Sequence, residues 1–243
     1  MNRKVVLHYH LFKNAGTSVD RTLQKNFGDR WLTKEFPNQG GNNSPLVAEW
    51  IASTPEGVAY SSHTMLGPIP EVERVDIIPV ILLRDPIDRI KSAYKFEQKQ
   101  DADTWGAQLA KEHDFGGYVR ARLDRKGDRQ CRDFQTERIA SLKPGDGSEI
   151  DRAVAALEAI HSAGTVGLVE RFDSFMVRLT DRLQPFYEDF QGEAVRANVS
   201  SKSASAPLDP SLSALLLDAN KQDFKLMKRA RELIRLETVA SGE

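Results

Sequence analysis

The chain of 243 residues carries a single cysteine, Cys131, which excludes an internal disulfide and removes any pointer to an oxidising compartment. Cys131 reads as an ordinary free thiol of a helix or loop. No apolar run is long enough for a membrane span or for the core of a signal peptide. Charge of one sign is missing too: 34 Lys and Arg stand against 35 Asp and Glu, a net of -1. That balance excludes a general affinity for polyanions, so nucleic acid is not expected as a partner and any basic surface must be local. The Walker A pattern GxxxxGK[ST] is absent. No pair of histidines has metal-ligand spacing with a carboxylate, so no metal is expected.

What is present is concentrated in two stretches. Val5 to Phe27 reads VVLHYHLFKNAGTSVDRTLQKNF. Val5, Val6 and Leu7, continued in alternation by Tyr9 and Leu11, predict a strand. Lys13 to Ser18 predict a turn, and Val19, Leu23 and Phe27 recur at helical spacing. Strand, small-residue turn and helix make a phosphate cradle. Backbone N–H groups of Lys13, Asn14, Ala15 and Gly16 point inward, and the helix start adds partial positive charge. Lys13 supplies a full charge, Gly16 allows close approach, and Thr17 or Ser18 offers a hydroxyl.

The second stretch, Ile77 to Tyr94, reads IIPVILLRDPIDRIKSAY. Val80 to Leu83 predict a buried parallel strand with Pro79 at its start. Asp85 is placed to cap a helix beginning at Pro86. Arg84 leaves the strand at its carboxyl end and Ser92 lies two turns into the helix, so both can reach one anion above the helix start.

The first stretch resembles the phosphosulfate loop H-x-P-K-T-x-G-T-S of sulfotransferases that use 3′-phosphoadenosine 5′-phosphosulfate (PAPS), in particular the Golgi carbohydrate sulfotransferases and their bacterial relatives. His10, Lys13, Gly16, Thr17 and Ser18 match, while Phe12 replaces the proline and Asn14 the threonine. The second stretch resembles the family's 3′-phosphate motif R-D-P-x-x-R-x-x-S-x-Y at Arg84, Asp85, Pro86, Arg89, Ser92 and Tyr94. The resemblance implies a P-loop-NTPase-like sulfotransferase fold and PAPS as co-substrate, with 3′,5′-phosphoadenosine (PAP) as product. It also implies Arg84 and Ser92 on the 3′-phosphate, and a hydroxyl acceptor, first a sugar on a glycan or glycolipid. Arg89 is left either to contact substrate or to pair with a carboxylate.

Sulfuryl transfer to an alcohol requires loss of the hydroxyl proton, and an imidazole suits that near neutral pH. His63 follows the strand expected at Gly57 to Ser61 and is the expected base; related enzymes have a glycine–histidine pair there, and Ser62 holds the glycine position. Lys13 would neutralise charge on the bridging and leaving oxygens. His8 and His10 are expected to be packed on the first strand, and His113 and His161 to lie at the surface.

Residues 95–148 are polar and of mixed charge, and are expected to form an acceptor-side insertion of helices and loops. Lys95, Lys99, Arg120, Arg122, Arg125, Lys126 and Arg129 within it are candidates to meet an anionic acceptor. Glu149 to His161 predict a helix and Thr165 to Val169 a strand. Asp173 is expected to cap the next helix, and Glu170 to pair with Arg171. Asn198 to Leu208, with Ser200 and Lys202, resembles a family loop that closes over the nucleotide. Leu215 to Leu236 predict one helical run. The expected whole is one α/β domain spanning 1–243, three layers with a central parallel sheet and strands near residues 5, 58, 80 and 166. With its own Met1 and no anchor, it is expected to be soluble, bacterial and cytoplasmic. The alternatives are an ATP-dependent P-loop-like kinase and a PAP-binding module without catalysis.

Overall fold

The computed structural model describes residues 2–192 and 208–240. Five strands form one all-parallel sheet: β1 (Arg3–Tyr9), β2 (Trp31–Thr33), β3 (Ala59–Ser62), β4 (Val75–Leu83) and β5 (Thr165–Leu168), in the order β2-β3-β1-β4-β5. The register runs Leu7↔Tyr60 between β1 and β3, Leu7↔Pro79 between β1 and β4, and Val80↔Thr165 between β4 and β5.

Helices cover both faces, because a parallel sheet must bury both. On one face α1 (Gly16–Phe27) and α8 (Phe172–Leu183) set Val19, Leu23, Phe27, Phe175, Met176 and Leu179 against Val6, Val80 and Leu82. Each such side chain contributes about 1.5–3 kcal/mol by burial. On the other face α2 (Ser44–Ser53), α6 (Phe134–Ala140), α7 (Glu149–Ala163) and α10 (Lys221–Ala240) cover Val5, Leu7, Tyr9, Ile81 and Leu83. A separate cluster joins α3 (Pro86–Lys99), α4 (Trp105–Glu112), α5 (Phe115–Asp124) and α9 (Pro210–Ala219) through Ile90, Leu109, Tyr118, Cys131 and Leu212. Residues 95–148 therefore hold the end of α3 and all of α4, α5 and α6. None of the helices among the described residues is long and apolar enough to cross a membrane.

The structure departs from the sequence expectations at several points. β2 is an additional strand, too short at three residues to carry a periodic signal. Pro79 lies within β4 and not at its start. It is tolerated because pairing with β5 begins one residue later, at Val80, so the missing N–H at Pro79 breaks no rung on that side. Helix α8 starts at Phe172, which puts Asp173 inside the first turn and not at the cap. Glu170 pairs with Arg231 at 2.9 Å, not with Arg171.

The expected run from Leu215 to Leu236 is two helices, α9 and α10, broken at Asn220. Asn220 donates to the carbonyls of Cys131 and Leu216, each at 2.9 Å, and accepts from the amide of Asp133. Two carboxylates then cap each other's helices. Asp133, just before α6, accepts from the amides of Gln222 and Asp223 at the start of α10. Asp223 in turn accepts from the amides of Gln135 and Thr136 at the start of α6. Negative charge at both helix starts is favourable, and each carboxylate satisfies amides that no helical carbonyl reaches.

Candidate functional site

The chain leaves β1 toward β2 on one side of the sheet and leaves β4 toward β5 on the other. The two departing connections lie on opposite faces, since α1 covers one face and α7 the other. Between the carboxyl ends of β1 and β4 this opens a crevice, the place where parallel α/β sheets bind ligands. The loop after β1 carries Lys13 and the end of β4 carries Arg84.

Phe12 to Gly16 forms a tight turn into α1, with Lys13 at φ 64° and Ala15 at φ 59°. Left-handed backbone at two non-glycine residues costs of order 1–2 kcal/mol each, which the surrounding contacts must offset. The Asn14 amide is taken up within the turn, donating to the Leu11 carbonyl at 3.2 Å. Gly16 is required by a close approach: a Cβ there would sit 2.2 Å from the His10 ring. Thr17 is exposed and Ser18 buried, and the Ser18 amide is already bonded to the Ala15 carbonyl at 2.9 Å.

The Asn14 side chain faces inward and is buried. Its Nδ2 donates to the Leu82 carbonyl and to Gln135 Oε1, both at 2.8 Å. Gln135, fully buried, also accepts from the Arg84 amide at 2.9 Å and donates to the Arg84 carbonyl at 2.9 Å. One carboxamide thus ties the β1 loop to the end of β4.

The Arg84 guanidinium donates to the Lys13 carbonyl at 3.0 Å. Burial, and then the Arg84 charge, lower the Lys13 pKa; burial lowers that of Arg84 against the pull of Asp88 and Asp85. Among the described residues neither cation has a carboxylate within ion-pair distance, and Lys13 Nζ rests 4.5 Å from the centre of the Phe96 ring. Two half-buried positive charges side by side, neither in an ion pair, form a site that an anion would stabilise.

On α3, Asp85 caps the helix as expected, accepting from the amides of Ile87 and Asp88 at 3.0 and 3.1 Å. Ser92 lies on this helix, partly exposed. Arg89 is fully buried and, among the described residues, in no ion pair with a carboxylate. Its guanidinium donates to the carbonyl and side chain of Gln130 and lies 4.4 Å from the centre of the Phe134 ring. Of the cations offered to an acceptor, Arg122 is held by Glu97 and Asp128 at 2.6 and 2.8 Å, and Arg129 by Glu149. Ser200 and Lys202 lie outside the described residues.

β3 is the strand on the other side of β1, and His63 follows it directly. Its Nδ1 lies 2.7 Å from Glu35 Oε1, and its ring centre 3.9 Å from that of His10. Glu35 also accepts from the His63 amide and from the hydroxyls of Ser62 and Thr64. Burial acts to raise the Glu35 pKa, but the bonds from His63 and Thr64 outweigh it and hold the carboxylate ionised.

His8 and His10 are buried as expected, but a carboxylate stands between them: Asp20 Oδ1 is 2.8 Å from His8 Nδ1 and Asp20 Oδ2 is 2.7 Å from His10 Nδ1. Burial tends to raise the Asp20 pKa, and the two imidazoles reverse this and hold it well below the carboxylate range. The three ligand atoms lie within 4.8 Å of one another, a grouping that the spacing along the chain does not suggest. Each imidazole has its own Asp20 oxygen, so the trio is satisfied by hydrogen bonds alone. His113 is exposed, His161 is half-buried near Glu237, and Cys131 is a buried loop thiol that burial pushes up to about 12.

Glu35, Asp20 and Gln135 were not legible as site residues. Asp20 has a faint signal, one helical turn past Gly16 and facing the strand that bears His8 and His10. Glu35 and Gln135 have none.

No protein-family model matches the chain. An uncharacterized protein of Archaeoglobus fulgidus is 35% identical over 242 residues, covering 96% of this chain and 93% of that one. At that identity and coverage, this chain and the archaeal protein belong to one family.

Proposed function

We propose that the chain is a PAPS-dependent sulfotransferase with a P-loop-like sulfotransferase fold, acting in the cytoplasm on a hydroxyl acceptor, with a sugar as the first candidate. The observation that carries this reading is the pair Lys13 and Arg84: two cations outside any ion pair among the described residues, at the β1/β4 crevice, one bonded to the backbone of the other. A nucleotide with phosphates at both its 5′ and 3′ positions matches two adjacent cationic points on one sheet edge. The sequence resemblance gives each cation its role in that arrangement.

In the proposed reaction the acceptor oxygen attacks sulfur as its proton passes to His63. The bond from sulfur to the bridging oxygen breaks, and PAP leaves with the electron pair. No oxidation state changes. By analogy with phosphoryl transfer, positioning and charge neutralisation dominate. Lys13 neutralises the leaving oxygen, and the turn amides with Thr17 and Ser18 hold the 5′-phosphate. Arg84 and Ser92 hold the 3′-phosphate. Glu35, whose carboxylate bonds His63, lines with Phe36, Leu46, Glu49 and Trp50 a pocket of about 280 Å³, with room for part of an acceptor.

The test is mass spectrometry of purified protein with PAPS and a panel of sugars and small alcohols. Release of PAP together with a sulfated acceptor supports the reading. Binding of ATP with phosphorylation of an acceptor in place of sulfation would replace it with the kinase alternative.

A further inference from the structure

We infer that Glu35 is the positioning residue for His63: it fixes the imidazole as the tautomer protonated at Nδ1 and leaves Nε2 as the nitrogen that takes a proton. The inference deepens the sulfuryl-transfer reading and rests on it for the step that His63 serves.

The Glu35 side chain is about half exposed, and an isolated carboxylate in that setting would be solvated and mobile. Here it is gripped by four donors. The His63 amide approaches both oxygens at 3.2 Å, His63 Nδ1 lies at 2.7 Å, the Thr64 hydroxyl at 2.7 Å and the Ser62 hydroxyl at 3.2 Å. The Thr64 hydroxyl oxygen also accepts from the Phe36 amide at 2.6 Å, which fastens the segment after β2 to the end of β3. An ionised carboxylate only accepts hydrogen bonds, so the proton of this contact sits on Nδ1.

One face of the His63 ring is fixed as well. It packs on His10, which Asp20 holds from behind at 2.7 Å and which itself lies against Gly16. Among the described residues Nε2 has no hydrogen-bond partner. The ring is therefore held at its Nδ1 edge and on one face, a ring's thickness from the phosphate loop, with Nε2 left free of protein partners. When Nε2 accepts the acceptor's proton, the resulting imidazolium faces Glu35 Oε1, so the charge forms beside a carboxylate already in place. Such a partner accounts for a carboxylate so fully occupied at an exposed position, where salt-bridge stability alone contributes little.

The experiment compares the native protein with Glu35→Gln and Glu35→Asp, using imidazole nitrogen shifts with the His63 signal assigned by its loss in His63→Gln. The native protein should show Nδ1 protonated and Nε2 bare at neutral pH, and Glu35→Gln a shift toward the Nε2-protonated form. In turnover, Glu35→Gln should lower kcat by about tenfold or more with the KM for PAPS unchanged, and Glu35→Asp should recover part of the loss. An identical tautomer in Glu35→Gln, or an unchanged kcat in a folded variant, overturns the assignment. If the native protein shows the expected tautomer but sulfates no acceptor, the sulfuryl-transfer reading falls while the Glu35–His63 relationship stands.

Discussion

Arg84 donates to the backbone carbonyl of Lys13 at 3.0 Å, so the cation at the end of β4 is fastened to the loop that bears the cation after β1. The two charges repel, and the fold accepts that cost at the β1/β4 crevice. Gln135 and Asn14 supply the neutral bonds that hold loop and strand end together. An arrangement that spends hydrogen bonds to keep like charges adjacent is suited to a multiply charged anion.

Lys13→Ala and His63→Ala should fail in different ways. His63→Ala should lower kcat by about 10²–10⁴-fold and leave PAP affinity unchanged, because the base touches the acceptor and not the nucleotide. Lys13→Ala should weaken PAP binding and turnover together, since a cation at that site meets the donor in both ground and transition states. Calorimetry beside steady-state kinetics separates the two patterns. Near-native kcat in folded His63→Ala would move the base elsewhere.

Turnover should not depend on added metal, since Lys13 carries the charge that Mg²⁺ carries in kinases. Activity should survive EDTA. Loss of activity with EDTA and recovery with Mg²⁺ would favour the kinase alternative.

Asp20 should make stability depend on acid pH. Its folded pKa lies below the ordinary carboxylate value, so its contribution is fully present above the unfolded pKa, about 3.9, and is lost as pH falls through the folded value. The groups facing it are His8 of β1 and His10 just after it, with Ser61 of β3 bonded to His8. Asp20→Asn should therefore be less stable than native protein at neutral pH by about 1.5–3 kcal/mol, and the gap should narrow below pH ~4. Urea unfolding across that range gives the comparison, and a gap that widens on acidification would contradict it.

Asp223→Ala should strip four donors of a partner: the amides of Gln135 and Thr136, the Thr136 hydroxyl and the Gln135 carboxamide. All are buried, so the expected loss is about 2–4 kcal/mol with an unchanged denaturant slope. Because Gln135 also spans Asn14 and Arg84, PAP binding should weaken too. A destabilised variant with native PAP affinity would uncouple the helix caps from the site.

What the sequence revealed was local. The Lys13 loop and the RDPIDRIKSAY stretch each place strand, turn and helix within about twenty consecutive residues, where period and capping rules apply directly. The five-strand parallel sheet was legible apart from β2, whose three residues hold no period. Side-chain partners distant in the chain were not. The Asn14 side chain gave no sign of its partner Gln135, which lies 121 residues away. Arg89 was ambiguous because Gln130, 41 residues on, decides it. Glu35 gave no sign of its place beside His63, 28 residues later. Pro79 obeyed a rule about edges that depends on where β5 begins, which no local pattern contains.

The central claim is that Lys13 and Arg84 together bind a nucleotide carrying phosphate at both ends. Calorimetric titration of PAP and AMP into native protein and Arg84→Ala tests it most directly. The account predicts that native protein binds PAP far better than AMP. It predicts that Arg84→Ala loses about tenfold or more for PAP, the worth of a charge-assisted hydrogen bond of roughly 1.5–3 kcal/mol, with AMP affinity little changed. Equal losses for both ligands, or equal affinities in native protein, would contradict it.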